Sequence, residues 1–434
     1  MKKLFATGVI YICLFVLLIA GVYNLARNLN DDTVQSDEVV ATADDTKDSS
    51  ENNEEEKQDG KPEEEISEIK GKAGEKDLEE NPEDKGKQLE DKVVVKGDIT
   101  ENITPFNYST TADKYLLDLC YAGIGNIKDR KCINEDITNS YDKKRDITTY
   151  KIKINEDAEN VSGDKITADD LIFNYYLRAD VGYTGSGSIA GLPVVGLEEY
   201  RYGTRNIPSM KKKISKKLRK PDKRTAALIK KNIIRPVIEK EYKWVCSLYK
   251  QEMYDYITDK YPRKKDLFVY FFAYGTNYKT KGKTTKKVIN DVIKSYGSNY
   301  NKLGKITSEN YKKKAENIAL YVIQSDKKFK FRVKNISGIK KIDDYTVEIK
   351  VEGKRKPGYI NRLCDMYIVS MNSWANTLLF DGVNKFGFKR GRADDILKNK
   401  SIKGDETGNY TVKEVTDGVY TLEKRVWIFV TDTE

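Results

Sequence analysis

The chain contains no histidine among its 434 residues, and it has only five cysteines. Histidine is the usual base of Ser-His-Asp and Cys-His catalysis and a common zinc ligand, so its absence excludes those mechanisms and HExxH zinc sites. The cysteines form no CxxC pair. Cys120 and Cys132 lie twelve residues apart, which is compatible with a disulfide or with two buried free thiols. No base–nucleophile pair is identifiable, so we expect no enzymatic activity, no metal and no cofactor.

Two glycine-containing stretches lack the spacing that phosphate-binding loops require. In the segment Gly275–Thr284, six residues separate Gly275 from Gly282, whereas a P-loop has four, and no pattern predicts a helix directly behind it. The segment Gly182–Gly191 is richer in glycine but follows a helical pattern rather than a strand, so it lacks the dinucleotide fingerprint. We interpret Gly182–Gly191 as a mobile loop.

Residues 31–91 contain no aromatic residue and few aliphatic ones. This segment carries 24 acidic residues and eight lysines, a net charge of −16. Low hydrophobicity combined with high net charge is typical of disordered chains, which cannot bury enough apolar surface to fold. The composition therefore predicts a disordered acidic linker, which acts either as an inert spacer or as a segment that folds back onto the basic remainder of the chain.

Residues 1–30 contain no acidic residue and include an almost unbroken apolar run from Leu4 to Leu25, directly behind Lys2 and Lys3. About 20 apolar residues span a bilayer, whereas the core of a cleaved signal peptide has roughly 7–15. The two lysines place the N-terminus in the cytoplasm and the rest of the chain on the extracytoplasmic face of the cell membrane. We predict an uncleaved transmembrane helix, with cleavage near Ala20 as the alternative.

Residues 92–434 carry 67 basic and 44 acidic residues, a net charge of +23. The segment Lys211–Lys231 predicts a basic helix, and tyrosine and lysine interleave through residues 242–315. An extracytoplasmic basic surface meets cell-wall polyanions or anionic lipids more readily than nucleic acid, for which we expect no binding. An ordinary solvated face is the alternative.

The segment from Tyr150 to Phe173 predicts a strand, a turn and a helix in succession. Tyr150, Ile152 and Ile154 alternate with lysines, which is the period of a half-buried strand. A turn at residues 162–164 follows, and residues 167–170 (TADD) then have the form of a capping box. Apolar residues spaced four apart behind it predict a helix face that packs on a core.

The sequence of this segment, TTYKIKI…SGDKITADDLIF, resembles the signature of the family 5 extracellular solute-binding proteins, the peptide- and nickel-binding receptors of ABC importers. The missing histidine weighs against the nickel-binding branch. The resemblance extends over Val93 to about Glu423. Other family motifs are matched in the same order, at Ile103–Pro105, Leu119–Ile124, Ile137–Tyr141, Ser337–Val347 and Gly408–Tyr410.

The resemblance implies a mixed α/β (α+β) fold, namely the first lobe of a type II periplasmic-binding-protein-like clamshell. In this family a peptide is enclosed between two lobes, and main-chain hydrogen bonds supply its affinity. The family's first-lobe contacts correspond to Ser109 and Thr111 here, with Tyr108 and Thr110 as neighbours. Each of these could instead be a turn residue that bonds its own backbone. The implied partners are an oligopeptide ligand and ABC permease subunits, and we expect a monomer.

The chain departs from the family pattern in two places. Val22 occupies the position of the lipobox cysteine, so no lipid anchor is expected there. The segment Lys424–Glu434 does not continue into the second lobe, so we expect 92–434 to be an incomplete solute-binding domain with a basic Lys/Tyr-rich insertion at about 204–330. Two functions stay open. One is a peptide-import receptor impaired by loss of the second lobe, and the other is a membrane-tethered basic module that binds cell-wall or membrane polyanions.

Overall fold

The computed structural model describes residues 91–127, 130–248, 261, 263–273, 278–305, 307, 310–354, 357–397, 402 and 404–425. The predicted membrane helix at 1–30 and nearly all of the acidic linker at 31–91 lie outside these residues. Within the described part of the chain, no helix is both long enough and apolar enough to cross a membrane. Almost all described residues belong to one compact unit, Glu68–Leu303 with Tyr311–Glu434.

The fold is mixed α/β and contains two antiparallel sheets, as the sequence predicts at this coarse level. The strands are β1 (Lys92–Val95), β2 (Asn134–Asp142), β3 (Ile147–Ile154), β4 (Ile339–Lys341), β5 (Thr346–Glu352), β6 (Tyr410–Thr416) and β7 (Val419–Lys424). The helices are α1 (Thr111–Cys120), α2 (Ala168–Ala179), α3 (Leu197–Tyr202), α4 (Ile207–Arg219), α5 (Lys223–Ile229), α6 (Arg235–Leu248), α7 (Lys264–Phe272), α8 (Thr285–Tyr296), α9 (Lys312–Gln324), α10 (Pro357–Cys364), α11 (Met371–Trp374) and α12 (Asp394–Leu397). A π-helical turn (Lys230–Ile234) and 3-10 turns (Tyr300–Lys305, Thr377–Leu379) complete the list.

The larger sheet has the strand order β2-β3-β5-β4. The predicted alternation in β3 is confirmed, because Tyr150, Ile152 and Ile154 are buried while Lys151 between them is exposed. Strand β5 alternates in the same way and pairs Ile349 opposite Tyr150. One face of the sheet therefore covers the main core, and helix α2 packs against β4 and β5.

Helix α2 begins where the sequence predicts it. The Asp170 carboxylate accepts hydrogen bonds from the Thr167 backbone N–H (2.7 Å) and hydroxyl (2.9 Å), which confirms the capping box. Nearly every residue of α2 is buried, because the sheet lies on one side and residues 363–388 on the other. This burial includes the polar residues Asn174 and Arg178, which the apolar periodicity does not predict.

The smaller sheet has the order β1-β7-β6, so the first described strand pairs with the last one. Lys92 lies opposite Glu423, and Val95 lies opposite Tyr420. Helix α1 packs against β6. Strand pairing between segments more than 300 residues apart joins both ends of residues 91–425 to one core.

The predicted continuous basic helix at Lys211–Lys231 is wrong, because the chain breaks it into two. Helix α4 ends at Arg219, and the side chain of Asp222 caps α5 by accepting from the Thr225 N–H at 2.8 Å. Pro221 lies between them; proline lacks an N–H and restricts the residue before it to extended conformations. Helix α9 packs against both α4 and α5.

Candidate functional site

The predicted ligand loop, residues 108–111, forms the entry to helix α1. Thr110 is the N-cap of this helix, and its hydroxyl accepts a hydrogen bond from the Asp113 backbone N–H at 3.0 Å. Asp113 returns the contact by accepting from the Thr110 N–H at 2.9 Å. The pair is a complete capping box, so the hydroxyl of Thr110 serves the local backbone, which is the alternative role that its residue type suggests.

The Asp113 carboxylate holds the whole loop in place. It accepts from the backbone N–H groups of Thr100 (2.7 Å), Ser109 (2.7 Å) and Thr110, and from the Thr100 hydroxyl. Asp113 is fully buried, and burial alone would raise the pKa of its carboxyl. The hydrogen bonds from Thr100, Ser109 and Thr110 outweigh burial and lower that pKa, so Asp113 is ionised at neutral pH.

Ser109 and Thr111 remain accessible at the surface of this loop. Both residues are exposed, and the Ser109 hydroxyl lies 3.0 Å from the hydroxyl of Thr100. The structure therefore places the four predicted contact residues side by side but in different environments. Ser109 and Thr111 face solvent, Thr110 caps a helix, and Tyr108 points toward the interior.

Tyr108 lies half-buried against polar and aromatic side chains from distant parts of the chain. Its ring meets the Tyr367 ring edge-on, with centroids 5.3 Å apart. Its carbonyl accepts from the Ser186 hydroxyl at 2.8 Å, and its N–H donates to the same oxygen at 3.3 Å. Burial raises the pKa of the Tyr108 hydroxyl, against a smaller opposing effect of Arg178, so the phenol is protonated at neutral pH.

A buried ion-pair cluster lies beyond Tyr367. Arg130 donates to Asp118 (2.7 and 2.8 Å) and to Asp365 (3.0 Å), and its guanidinium lies 4.4 Å from the centre of the Tyr367 ring. The Tyr367 hydroxyl donates to Asp118 at 3.1 Å. Burial raises the pKa of the Asp118 carboxyl despite its contacts with Arg130. Arg130 thus has two carboxylate partners, which indicates a structural role for it.

Arg178 lies on the other side of Tyr108, in the last turn of α2. It donates from Nη1 to the Asn174 side-chain oxygen and from Nη2 to the Tyr367 carbonyl, both at 2.9 Å. Its guanidinium lies 4.4 Å from the centre of the Phe106 ring. The sequence analysis missed Arg178. The available signal was a charged residue four positions after Asn174 in the mainly apolar second half of the helix, a spacing that brings the two side chains together.

The glycine-rich segment Gly182–Gly191 covers this region and is hydrogen-bonded to it at several points. The Ser186 N–H donates to the Phe106 carbonyl at 2.7 Å, and Thr184 donates twice to Asp394 at 2.9 Å. A side chain at Gly185 would place its Cβ 2.4 Å from the Phe106 carbonyl oxygen. Glycine therefore permits close backbone contact at this position.

Other sequence predictions meet the structure only in part. Cys120 and Cys132 are both free thiols, the first buried and the second half-buried. A helix, α8, does follow the segment Gly275–Thr284, with Thr284 as its N-cap, although the sequence pattern did not predict one. Within the described part of the chain, no group of three or more Cys, Asp or Glu side chains is arranged to hold a metal ion.

Comparison with protein-family models, with curated proteins and with solved structures finds no match to this chain.

Proposed function

We propose that residues 92–434 are the ligand-binding lobe of an extracytoplasmic peptide receptor of the family 5 solute-binding type. In this proposal the N-terminal helix anchors the protein to the cell membrane, and the lobe captures oligopeptides for an ABC permease. In the same proposal, the domain is the first lobe of a type II clamshell.

One observation carries the proposal: two separate motifs of the family resemblance meet in space. The Ala168 N–H, at the start of α2, donates to the Asp344 carbonyl at 2.8 Å. The Ile154 N–H, at the end of β3, donates to the Tyr345 carbonyl at 2.8 Å. Two segments almost two hundred residues apart that each resemble the same family thus form one strand–strand–helix unit, which supports a shared origin.

The exposed hydroxyls of Ser109 and Thr111 provide the proposed contacts with a peptide backbone. The backbone N–H groups of Ser109 and Thr110 are already bound to Asp113, so these two cannot donate to a ligand. The Thr100 hydroxyl donates to Asp113, so the Ser109 hydroxyl donates to Thr100 and offers its lone pairs to a peptide N–H. The Thr111 hydroxyl can pair with either a peptide N–H or a C=O group. Such contacts read the main chain rather than side chains, which suits a receptor for peptides of varied sequence.

The direct test is peptide binding by the purified full chain, measured by isothermal titration calorimetry with a pool of short peptides. The variant Ser109→Arg adds a bulky charged side chain to an exposed position and leaves the Ser109 N–H free to bind Asp113. We expect it to weaken binding by about tenfold or more, which corresponds to about 1.4 kcal/mol. Ser162→Arg, at an exposed turn elsewhere, is the matched control. Equal binding by both variants, or no binding by the wild type, would refute the proposal.

A second function is favoured by the surface of helix α4. This helix buries only Met210 and Ile214 and contains no acidic residue. Lys211 pairs with Glu198 and Lys217 pairs with Asp222. The other cations of this helix are exposed and form no ion pair within the described residues; they are Lys212, Lys213, Lys216 and Arg219. An unneutralised row of cations is suited to a polyanion of the cell wall or to anionic lipids.

This alternative predicts binding to a poly(glycerol phosphate) polymer that weakens steeply as salt rises, because salt screens exposed charges. Replacing Lys212, Lys213 and Lys216 together by glutamine should reduce both the affinity and its salt dependence. Replacing the exposed Lys143, Lys144 and Lys151 by glutamine removes the same charge from another surface and serves as control. Equal losses of affinity in the two triple variants would show that binding depends on net charge alone, which would refute a specific site on α4.

A further inference from the structure

Arg178 is a buried cation without a counter-ion. Arg178 is only 1% exposed. Within the described part of the chain, no carboxylate forms an ion pair with it. Its partners are an amide oxygen of Asn174, the carbonyl of Tyr367 and the face of the Phe106 ring, all of them uncharged. Among the described residues, the Nε–H group of Arg178 has no hydrogen-bond partner.

Burying the Arg178 charge without a counter-ion is energetically unfavourable. Moving an ionised group out of water carries a large cost, and proteins normally offset that cost with an opposite charge or with complete hydrogen bonding. Arginine cannot escape by losing its proton, because its pKa is too high. Arg130 provides a contrast within the same molecule, since two aspartates bind it. Arg178 lacks what Arg130 has, which points to an anion supplied from outside the chain.

Gly187 has no side chain, and its backbone lies over the unpaired Nε–H with room for about one methyl group between them. A Cβ at this position would stand 3.6 Å from Arg178 Nε and 3.4 Å from the Tyr108 hydroxyl. The Tyr108 hydroxyl forms no hydrogen bond within the described part of the chain. Two unused donors, one of them cationic, therefore face the same small space, and a backbone without a Cβ borders it.

The segment Gly182–Gly191 forms the cover of this space. Ser186 binds it to Tyr108, and Ser188 and Ile189 bind it to the Arg178 carbonyl at 3.3 and 3.4 Å. Ser186 exchanges two hydrogen bonds with the Tyr108 backbone, whereas Ser188 and Ile189 each donate one to the Arg178 carbonyl. All of these are hydrogen bonds between uncharged groups, which can break and re-form as a ligand enters.

We propose that Arg178 and Tyr108 bind a carboxylate group in the space beside Gly187, beneath the segment Gly182–Gly191. One positive charge and two donors match a singly charged, planar carboxylate, whereas a phosphate dianion needs more charge and more donors. The carboxylate belongs either to a small free acid or to the C-terminus of a bound peptide. The second case rests on the proposed peptide-binding function, and the first does not.

The test compares three probes with the full chain by calorimetry and by thermal melting. The probes are acetate, short peptides with a free C-terminus, and the same peptides with an amidated C-terminus. We expect the free peptides to bind at least about tenfold more tightly than the amidated ones. Gly187→Ala should abolish this preference because its methyl group occupies the space between the two donors. Arg178→Met, which keeps much of the side-chain length, should abolish it as well.

Gly163→Ala is the control for backbone strain. Gly163 has φ +85° and Gly187 has φ +71°, so both alanine variants carry a similar left-handed strain, but a Cβ at Gly163 meets no atom within 4 Å. This variant should keep the preference for a free carboxylate. Gly187→Ala keeps the test decisive if Arg178→Met fails to fold.

The outcomes separate this inference from the proposed function. Equal binding of free and amidated peptides, unchanged in Gly187→Ala, would overturn the carboxylate site and leave peptide capture standing. Binding of acetate that is lost in Gly187→Ala, with no binding of any peptide, would support the site and overturn peptide capture. Absence of binding by all three probes would overturn both.

Discussion

Replacing Asp113 tests whether one carboxylate organises the candidate ligand loop. In Asp113→Ala the backbone N–H groups of Thr100, Ser109 and Thr110 lose their acceptor, and the Thr100 hydroxyl loses its acceptor too. A capping interaction contributes about 1 kcal/mol, and a hydrogen bond to a charged group about 1.5–3 kcal/mol. Because Ser109 is exposed, water replaces part of what is lost. We therefore expect a net loss of about 3 kcal/mol in the free energy of unfolding.

The assay is urea denaturation together with a thermal melt. A loss of ~3 kcal/mol should lower the melting temperature by roughly 6 °C, at ~2 °C per kcal/mol for a large domain. Asp113→Asn keeps one oxygen as an acceptor, but its amide NH₂ group faces loop donors that the second carboxylate oxygen bound. This variant should therefore lower the free energy of unfolding by about 2 kcal/mol. A loss below about 0.5 kcal/mol in Asp113→Ala, the range of ordinary surface substitutions, would refute the structural reasoning.

Acid should reduce the difference between wild type and Asp113→Asn. The pKa of Asp113 is lower in the folded protein than its usual value of 3.8, because hydrogen bonds outweigh burial. Above pH 3.8 the carboxylate is ionised in both states and its stabilisation is complete; this stabilisation is lost as the pH falls below 3.8 toward the folded pKa. Thermal melts at pH 6, 4.5 and 3 would show the stability difference between wild type and Asp113→Asn shrinking as the pH falls. A stability difference independent of pH would contradict this prediction.

Three further predictions concern the surroundings of the site. Gly185→Ala should cost about 1–3 kcal/mol in urea denaturation, since its Cβ would lie 2.4 Å from the Phe106 carbonyl oxygen, and a neutral result would contradict the close contact. Arg130→Met leaves the half-buried Asp118 without its cation and should destabilise the fold by about 3 kcal/mol; Asp118→Asn should restore part of this in the double variant. Burial lowers the pKa of Lys131 from 10.5 to about 8, so the unfolded chain binds more protons between these values. Stability relative to Lys131→Gln should therefore rise as the pH increases from 7.5 to 9.5, and thermal melts that show a constant difference would contradict this.

The secondary structure around the site follows from local patterns. Alternation predicts β3, and the capping box predicts the start of α2, because both depend on residues within one turn or one strand. The break between α4 and α5 was missed although Pro221 marks it, since the run of lysines was taken for one helix. Helix α8 was missed although its buried residues (Val288, Val292, Ile293 and Tyr296) recur at helical spacing, because this apolar pattern behind Thr284 was overlooked.

The sequence by itself excluded histidine-dependent catalysis and HExxH zinc sites. It also determined the strand and helix at Tyr150–Ala179 and the position of the loop at Tyr108. Only the tertiary structure decided what that loop contacts. Arg178 and Gly187 lie about 70 and 80 residues beyond Tyr108, and Tyr367 lies further still, so their meeting depends on long-range packing of α2 against residues 363–388. The burial of Arg178 without a counter-ion has the same origin, because periodicity records which face of a helix is apolar and contains no information on which distant groups cover it.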